Sequence, residues 1–260
     1  MLFKLKTKTA HTFKILAEIL YNNVKNICLE INKDGIKIHA VNSLRSIFLD
    51  IELFSDNFNL YKYKSVETLY VGMCASHFYK MLKSIKKKDS LCLFISDDNI
   101  HELGIQVTSS ESERVTTSFV NITSEQINII ELPSGYIKSN LIQANEFSKM
   151  IKDLQMIGKT IQVVKDNFLA FTASIESLFK RTVCFGEEDD SEDEIFKDVY
   201  STELFSNINK ISSISKTVHV YVKVSKPLYI KCDIGSLGVM RIFIKCMGDI
   251  NDDKNDLEDD

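Results

Sequence analysis

Four short segments of this 260-residue chain repeat one pattern. Each opens on a small residue and places a phenylalanine three positions later: Ala10 with Phe13, Ala75 with Phe78, Ala144 with Phe147, and Thr202 with Phe205. The phenylalanines are spaced 65, 69 and 58 residues apart. Two copies agree further, Ala75-x-x-Phe78-x-Lys80-Met81-Leu82 against Ala144-x-x-Phe147-x-Lys149-Met150-Ile151. Self-similarity at such a period constrains a fold more than composition does. Around these segments lie fourteen alternating or β-branched runs, from Ile27–Ile31 to Met240–Cys246, that read as strands. The chain therefore reads as four units, each a strand, a helix and three strands. This is an α+β fold with two units per domain.

The domain expectation is an N-terminal domain over 1–122, a connector over 123–135, a C-terminal domain over 136–247 and an acidic tail over 248–260. Residues 123–135 (TSEQINIIELPSG) have neither helical nor strand periodicity, and Pro133-Ser134-Gly135 is turn chemistry. Composition adds boundaries. At 44% hydrophobic and 26% charged, the chain is neither disordered nor fibrous. No run approaches the roughly 18 apolar residues of a membrane span. Six cysteines without a CxxC pair read as reduced thiols, mostly in the core, with no metal site. The N-terminal lysines Lys4, Lys6, Lys8 and Lys14 read as folded structure rather than a transit peptide. The net charge of −4 hides an asymmetry. Residues 187–194 (EEDDSEDE) and 249–260 hold seven acids each, and setting them aside leaves a basic body.

The helices divide by face. At about 100° per residue, Phe147, Met150, Ile151, Leu154 and Ile157 share one side, and Phe78, Met81, Leu82 and Ile85 repeat it. Those stripes read as core. On the other side Lys149 and Lys152 are neighbours, Lys80 and Lys83 take the same offsets, and Lys210 takes the second offset in the fourth helix. The first helix departs, with Ile15 and Glu18 at the matching positions and Lys14 near that side. Ammonium groups on flexible stems suit phosphate contact without base reading, so these faces point to duplex backbone held independently of sequence.

From Phe3 to Met247 the chain resembles a DNA sliding clamp of the proliferating cell nuclear antigen type. The segment Ala144-Asn-Glu-Phe147-Ser-Lys149-Met-Ile-Lys152-Asp-Leu-Gln-Met-Ile-Gly158 is similar to the clamp's first helix of the second domain. Pro227–Phe243 resembles its last hairpin, and Asp34–Asn42 with Arg45 resembles the strand and loop before the client pocket. The resemblance implies a ring-forming homotrimer with helices lining the hole. It implies double-stranded DNA, DNA polymerase and other clamp-binding proteins, and a clamp loader as partners. The location would be the nucleus, or a viral replication compartment. It carries DNA contact onto Lys14, Lys80, Lys83, Lys149, Lys152 and Lys210. It carries a client-peptide pocket onto Val41, Arg45, Phe48, Ile127, Ile129, Pro227 and Phe243. Subunit contacts fall on two edge strands, with Val115, Thr117 and Phe119 on one and Leu178, Lys180 and Arg181 on the other; the two bases are expected to meet acids of the neighbouring subunit. Val41 and Lys245-Cys246 depart from the family's usual residues.

No phosphate-cradling GxxxxGK[ST], HExxH or GxSxG pattern is present, and the five histidines are scattered. The expectation is therefore no catalysis, no cofactor and no metal. The alternatives within the same fold are one subunit of a heterotrimeric checkpoint-type clamp and a clamp relative used in viral transcription. A scaffold that never encircles DNA is the alternative of another class.

Overall fold

The computed structural model describes residues 1–124, 131–175, 178–186 and 195–250. Among these residues the architecture is α+β: seventeen strands and four α-helices in the order that the repeat dictates. The first repeat is β1 (Phe3–Thr7), α1 (Ala10–Asn23), β2 (Asn26–Asn32), β3 (Gly35–Val41) and β4 (Ile47–Phe54), followed by an added strand β5 (Leu60–Tyr63). The second is β6 (Leu69–Cys74), α2 (Ala75–Leu82), β7 (Ser90–Ile95), β8 (Glu102–Thr108) and β9 (Val115–Asn121). The third is β10 (Ser139–Gln143), α3 (Ala144–Gln155), β11 (Thr160–Lys165), β12 (Leu169–Ile175) and β13 (Phe179–Phe185). The fourth is β14 (Phe196–Ser201), α4 (Thr202–Ile208) continued by a 3-10 turn to Ser213, β15 (Thr217–Tyr221), β16 (Leu228–Asp233) and β17 (Gly238–Ile244). No helix among the described residues is long and apolar enough to cross a membrane.

The strands β1, β5 and β14 lie outside the fourteen runs expected from periodicity. In β1 the alternation is present but short: Phe3, Leu5 and Thr7 are buried while Lys4 and Lys6 turn outward. The lysines there are the solvent side of a strand.

The chain forms two compact units. One holds Met1–Ala40, Leu49–Ile130 and Ile234–Met240; the other holds Val41–Phe48, Glu131–Asp233 and Arg241–Asp260. In each, the leading strand of one repeat pairs with the strand after the helix of the other. In the first unit β1 pairs with β7 and β6 with β2. In the second β10 pairs with β15 and β14 with β11. The first unit carries the sheet order β5-β1-β7-β8-β9 and the run β4-β3-β2-β6. The second carries β13-β12-β11-β14 and the run β10-β15-β16-β17.

This exchange explains the residues of the repeat. The small residue that opens a helix sits where the chain docks on its partner repeat. Ala75 N–H donates to Lys25 O, Ala144 N–H to Lys216 O and Thr202 N–H to Lys159 O, each at 2.9 Å. Ala10, Ala75, Ala144 and Thr202 are all buried there. The phenylalanines are buried as well, Phe13 at 3%, Phe78 at 2%, Phe147 at 1% and Phe205 at 0% exposure. Phe147 and Phe205 meet Phe171 edge-on at 6.1 and 6.2 Å, which knits α3, α4 and β12 into one core.

The outward face of β2–β4 is charged and paired. Lys37 meets Glu52 at 3.2 Å, and His39 Nε2–H donates to the buried Asp50 carboxylate at 3.0 Å, with Glu30 at 3.7 Å on the other ring nitrogen. The Asp50 hydrogen bond holds the His39 imidazolium above its ordinary range despite the opposing effect of burial. A raised folded-state value means that the contribution is complete below about pH 6.5 and is lost as pH rises through the His39 value. The expected result is a melting temperature that falls between about pH 6 and pH 8 more steeply in the parent than in His39→Gln. Thermal scans across that range check it, and parallel curves would remove His39 from the account.

The cysteines divide evenly rather than lying mostly in the core. Cys28, Cys92 and Cys232 are buried, Cys74 and Cys246 are intermediate and Cys184 is exposed on β13; all are free thiols. A strand of an open sheet edge has few neighbours to cover it, which is why Cys184 stays accessible.

Candidate nucleic-acid interface and peptide pocket

The helix stripes are core apart from Met81, which is partly exposed. Ile85, Leu82, Met150, Ile151 and Leu154 are at 2% exposure or less. On the opposite faces Lys80, Lys83, Lys149, Lys152 and Lys210 are exposed. Lys80 lies within α2 and Lys83 just past its end; Lys149 and Lys152 lie within α3; Lys210 lies in the turn that extends α4. Among the described residues, neither Lys149 nor Lys152 makes an ion pair. Lys14 is different. Its stem is half-buried and its ammonium donates to Ile85 O at 3.0 Å, where α2 has ended. It ties α1 to the segment after α2, a favourable place for a cation at a helix C-terminus.

The edge residues take terminal places in their sheets. β9 ends one sheet of the first unit and β13 ends one sheet of the second. Val115 is 53%, Phe119 57%, Leu178 77% and Phe179 53% exposed, and Thr117 and Lys180 are exposed beside them. Phe119 rests edge-on against Phe94 at 6.1 Å. Gly104 makes room for that pair, since a Cβ there would lie 2.3 Å from the Phe94 ring. Arg181 meets Asp153 of its own chain at 3.8 Å, with both side chains about half exposed. Its place within the chain is thus occupied by a weak surface pair, one worth at most about 1 kcal/mol.

The pocket residues that the structure describes fall in the second unit. Asn42 builds the loop. Its side-chain oxygen accepts from Ser46 N–H at 2.8 Å and Ile47 N–H at 3.2 Å, and its amide donates to Ser46 Oγ at 2.8 Å. That turn holds Arg45 at φ 51° with its side chain exposed. Val41 and Pro227 are partly exposed, whereas Phe48 and Phe243 are nearly buried and stack at 5.9 Å. Lys245 N–H donates to Ser46 O at 2.9 Å, bringing the end of β17 to the loop. Ile127 and Ile129 lie outside the described residues, as does the acidic run 187–194.

Sequence reasoning missed three tyrosines here. Tyr136 donates its hydroxyl to Pro227 O at 2.6 Å and leans on Phe243 and Tyr229 at 6.5 and 5.2 Å. Burial pushes its hydroxyl up to about 12, so it stays a donor at neutral pH. Tyr229 stacks on Phe243 at 4.7 Å and on Tyr221 at 4.6 Å. The alternation of Tyr221 and Tyr229 with apolar neighbours carried the signal, but only the register of β15 on β16 places them side by side.

Similarity to known proteins points the same way. A model of the proliferating cell nuclear antigen N-terminal domain matches residues 2–129. A probable DNA polymerase sliding clamp of Paramecium bursaria Chlorella virus 1 is 23% identical over 256 residues, covering 94% of this chain and 96% of its own length. DNA polymerase sliding clamps of Pyrococcus furiosus and Pyrococcus horikoshii are 25% and 24% identical over 164 and 178 residues. Those matches cover 63% and 68% of this chain, and 64% and 69% of the archaeal ones. Together with the fourfold strand and helix repeat, these similarities mark residues 2–129 as similar to the proliferating cell nuclear antigen N-terminal domain and the chain as similar to DNA polymerase sliding clamps, a family of processivity factors and not of enzymes.

Proposed function

We propose that this chain is a replication clamp that closes as a homotrimer around duplex DNA and tethers a DNA polymerase and other clients to it. The observation that carries the reading is the recurrence of exposed lysines at the same offsets from buried phenylalanines, Lys80 and Lys83 in one repeat and Lys149 and Lys152 in another. The helices turn apolar residues to the sheets and ammonium groups to solvent. Facing a common hole, they hold phosphates loosely, through contacts that salt weakens and that permit sliding. Lys210 joins that row, and Lys14 supports it from the α1–α2 seam.

Topology then supplies the retention that affinity does not. Edge strands β9 and β13 of neighbouring copies close the ring, a heterologous contact that repeats until the rotation closes. A clamp loader opens it. The two domains, 1–122 and 136–247, are joined by 123–135, and client peptides bind at Val41, Arg45, Phe48, Pro227 and Phe243, with Ile127 and Ile129 of the connector as the further apolar residues that the family resemblance implies. The setting is the nucleus or a viral replication compartment.

The test compares DNA forms. Protein assembled on nicked circular DNA should survive a moderate-salt wash and be lost once the circle is cut, because only a ring can slide off an end. Equal retention on circular and linear DNA would leave a scaffold that never encircles DNA. A monomer in solution would favour a heterotrimeric clamp subunit instead.

A further inference from the structure

The outward faces of β2–β4 and β15–β17 take equivalent places in their repeats, and they differ in chemistry. The first carries the ion pairs of Lys37, Glu52, His39 and Asp50, the ordinary composition of a sheet face turned to water. The second carries rings. Tyr221, Tyr229 and Phe243 stack in a row with planes within 16° and 8° of parallel. His219 continues the row 6.5 Å from Tyr221, and Phe48 continues it at the other end. The inward residues of these strands, Val218, Val220, Ile230, Ile242 and Ile244, are fully buried. The sheet therefore has its core without the rings. Tyr221, Tyr229 and His219 remain partly exposed, and Leu141, opposite His219 on β10, is 59% exposed.

The charge around this row is mostly positive. Lys231 sits opposite His219, and Arg241 precedes Phe243 by two positions on the same face. Lys223 and Lys226 stand in the turn between Tyr221 and Tyr229. Asp233 is the acid at an outward position of β15–β17. The exposed part of the row, the edges of Tyr221, Tyr229 and His219 left open beside Tyr136, which packs 6.2 Å from Tyr221 and 5.2 Å from Tyr229, carries a basic rim and marks an interaction surface, whose complement is acidic.

We propose that this face is a docking strip for acidic peptide segments that carry aromatic side chains, contributed by proteins that ride the clamp. It rests on the client-tethering reading for the source of the peptide. An incoming ring stacks on Tyr221 or Tyr229, and carboxylates meet Lys231 and the Lys223–Lys226 turn. The row ends at Phe243, a residue of the proposed pocket, so one peptide can engage both.

The experiment uses the full chain and three fluorescein-labelled synthetic peptides read by anisotropy. One is built from Glu, Asp, Tyr and Phe; one keeps the acids and replaces the aromatics by Ala; one keeps the aromatics and replaces the acids by Lys. The first should bind at least about tenfold more tightly than either control. Tyr221→Ser with Tyr229→Ser should reduce it to the aromatic-free level, while Tyr221→Phe with Tyr229→Phe keeps it. If the double serine variant fails to fold, Tyr221→Ser alone is read in its place. Equal binding of the three peptides overturns the proposal. So does a loss confined to Ile127→Ser with Ile129→Ser, which assigns the peptide to the connector pocket and leaves client tethering standing. A doubling of the assembly's mass that the serine variants abolish, without peptide binding, overturns it in favour of a contact between copies. Stimulation of a polymerase on primed circular DNA, measured in parallel, tests the clamp reading separately.

Discussion

Reversing charge at Lys80, Lys149 and Lys210 with glutamate should abolish stimulation of a polymerase on a primed circular template and leave the mass of the assembly unchanged. All three side chains are exposed, so the substitutions remove no packing. Their effect is on phosphate contact. Each lysine that neutralises a phosphate lowers the slope of log affinity against log salt by about 0.9, and a reversed charge repels where it attracted. Several reversals repeated around a ring add, because every copy presents the same face. The control reverses Lys33, Lys62 and Lys197, which are equally exposed but lie outside the helix faces. The control should stimulate like the parent. Unchanged stimulation in the helix variant, or equal loss in both, would count against the inner-face assignment.

The second large effect is on assembly. Phe119→Asp and Leu178→Asp, separately, should convert a trimer into the 29.7 kDa subunit in light scattering. β9 and β13 each end a sheet, and an unpaired edge must be blunted or covered. Neither is blunted by proline, and both edges expose large apolar side chains: Phe119 on β9 at 57%, Phe179 on β13 at 53% and Leu178 just before β13 at 77%. Pairing them between copies buries those side chains, and an aspartate there carries a charge into the contact without a partner, at a cost of several kcal/mol. In the isolated subunit Leu178 stays largely in water, so the melting temperature of Leu178→Asp should hardly move, whereas Phe119→Asp also gives up the edge contact with Phe94 and should lower it modestly. An unchanged mass for both variants would move the subunit contact elsewhere. Arg181 bears on this point, since its pair with Asp153 lies within the chain. On the proposed ring, the apolar residues of the edges, rather than Arg181, would be the main source of the contact.

Much of this fold was legible because each repeat carries its own local instructions. Phe13, Phe78, Phe147 and Phe205 mark the helices, and a 3.6-residue period separates Met150, Ile151 and Leu154 from Lys149 and Lys152 without any tertiary information. The strands that escaped are short or lysine-bearing. β5 has four residues, and β1 hides its alternation of Phe3, Leu5 and Thr7 behind Lys4 and Lys6. The pocket was only half legible. Phe48 and Phe243 came from the family resemblance, whereas Tyr136 enters through a hydroxyl bond to Pro227 across 91 residues of chain, a separation that no local pattern encodes.

Lys14 illustrates the remaining step. Its place on the first helix follows from spacing, but its bond to Ile85 O depends on how α1 lies against α2. The sequence by itself determined the repeat, the polarity of the helix faces and the residues that could open each helix, because these depend on neighbours three or four positions away. The tertiary structure alone decided which strands exchange partners, which edges stay open and which rings line up across β15, β16 and β17. Those outcomes depend on register between distant segments, where a shift of one residue turns every side chain to the other face.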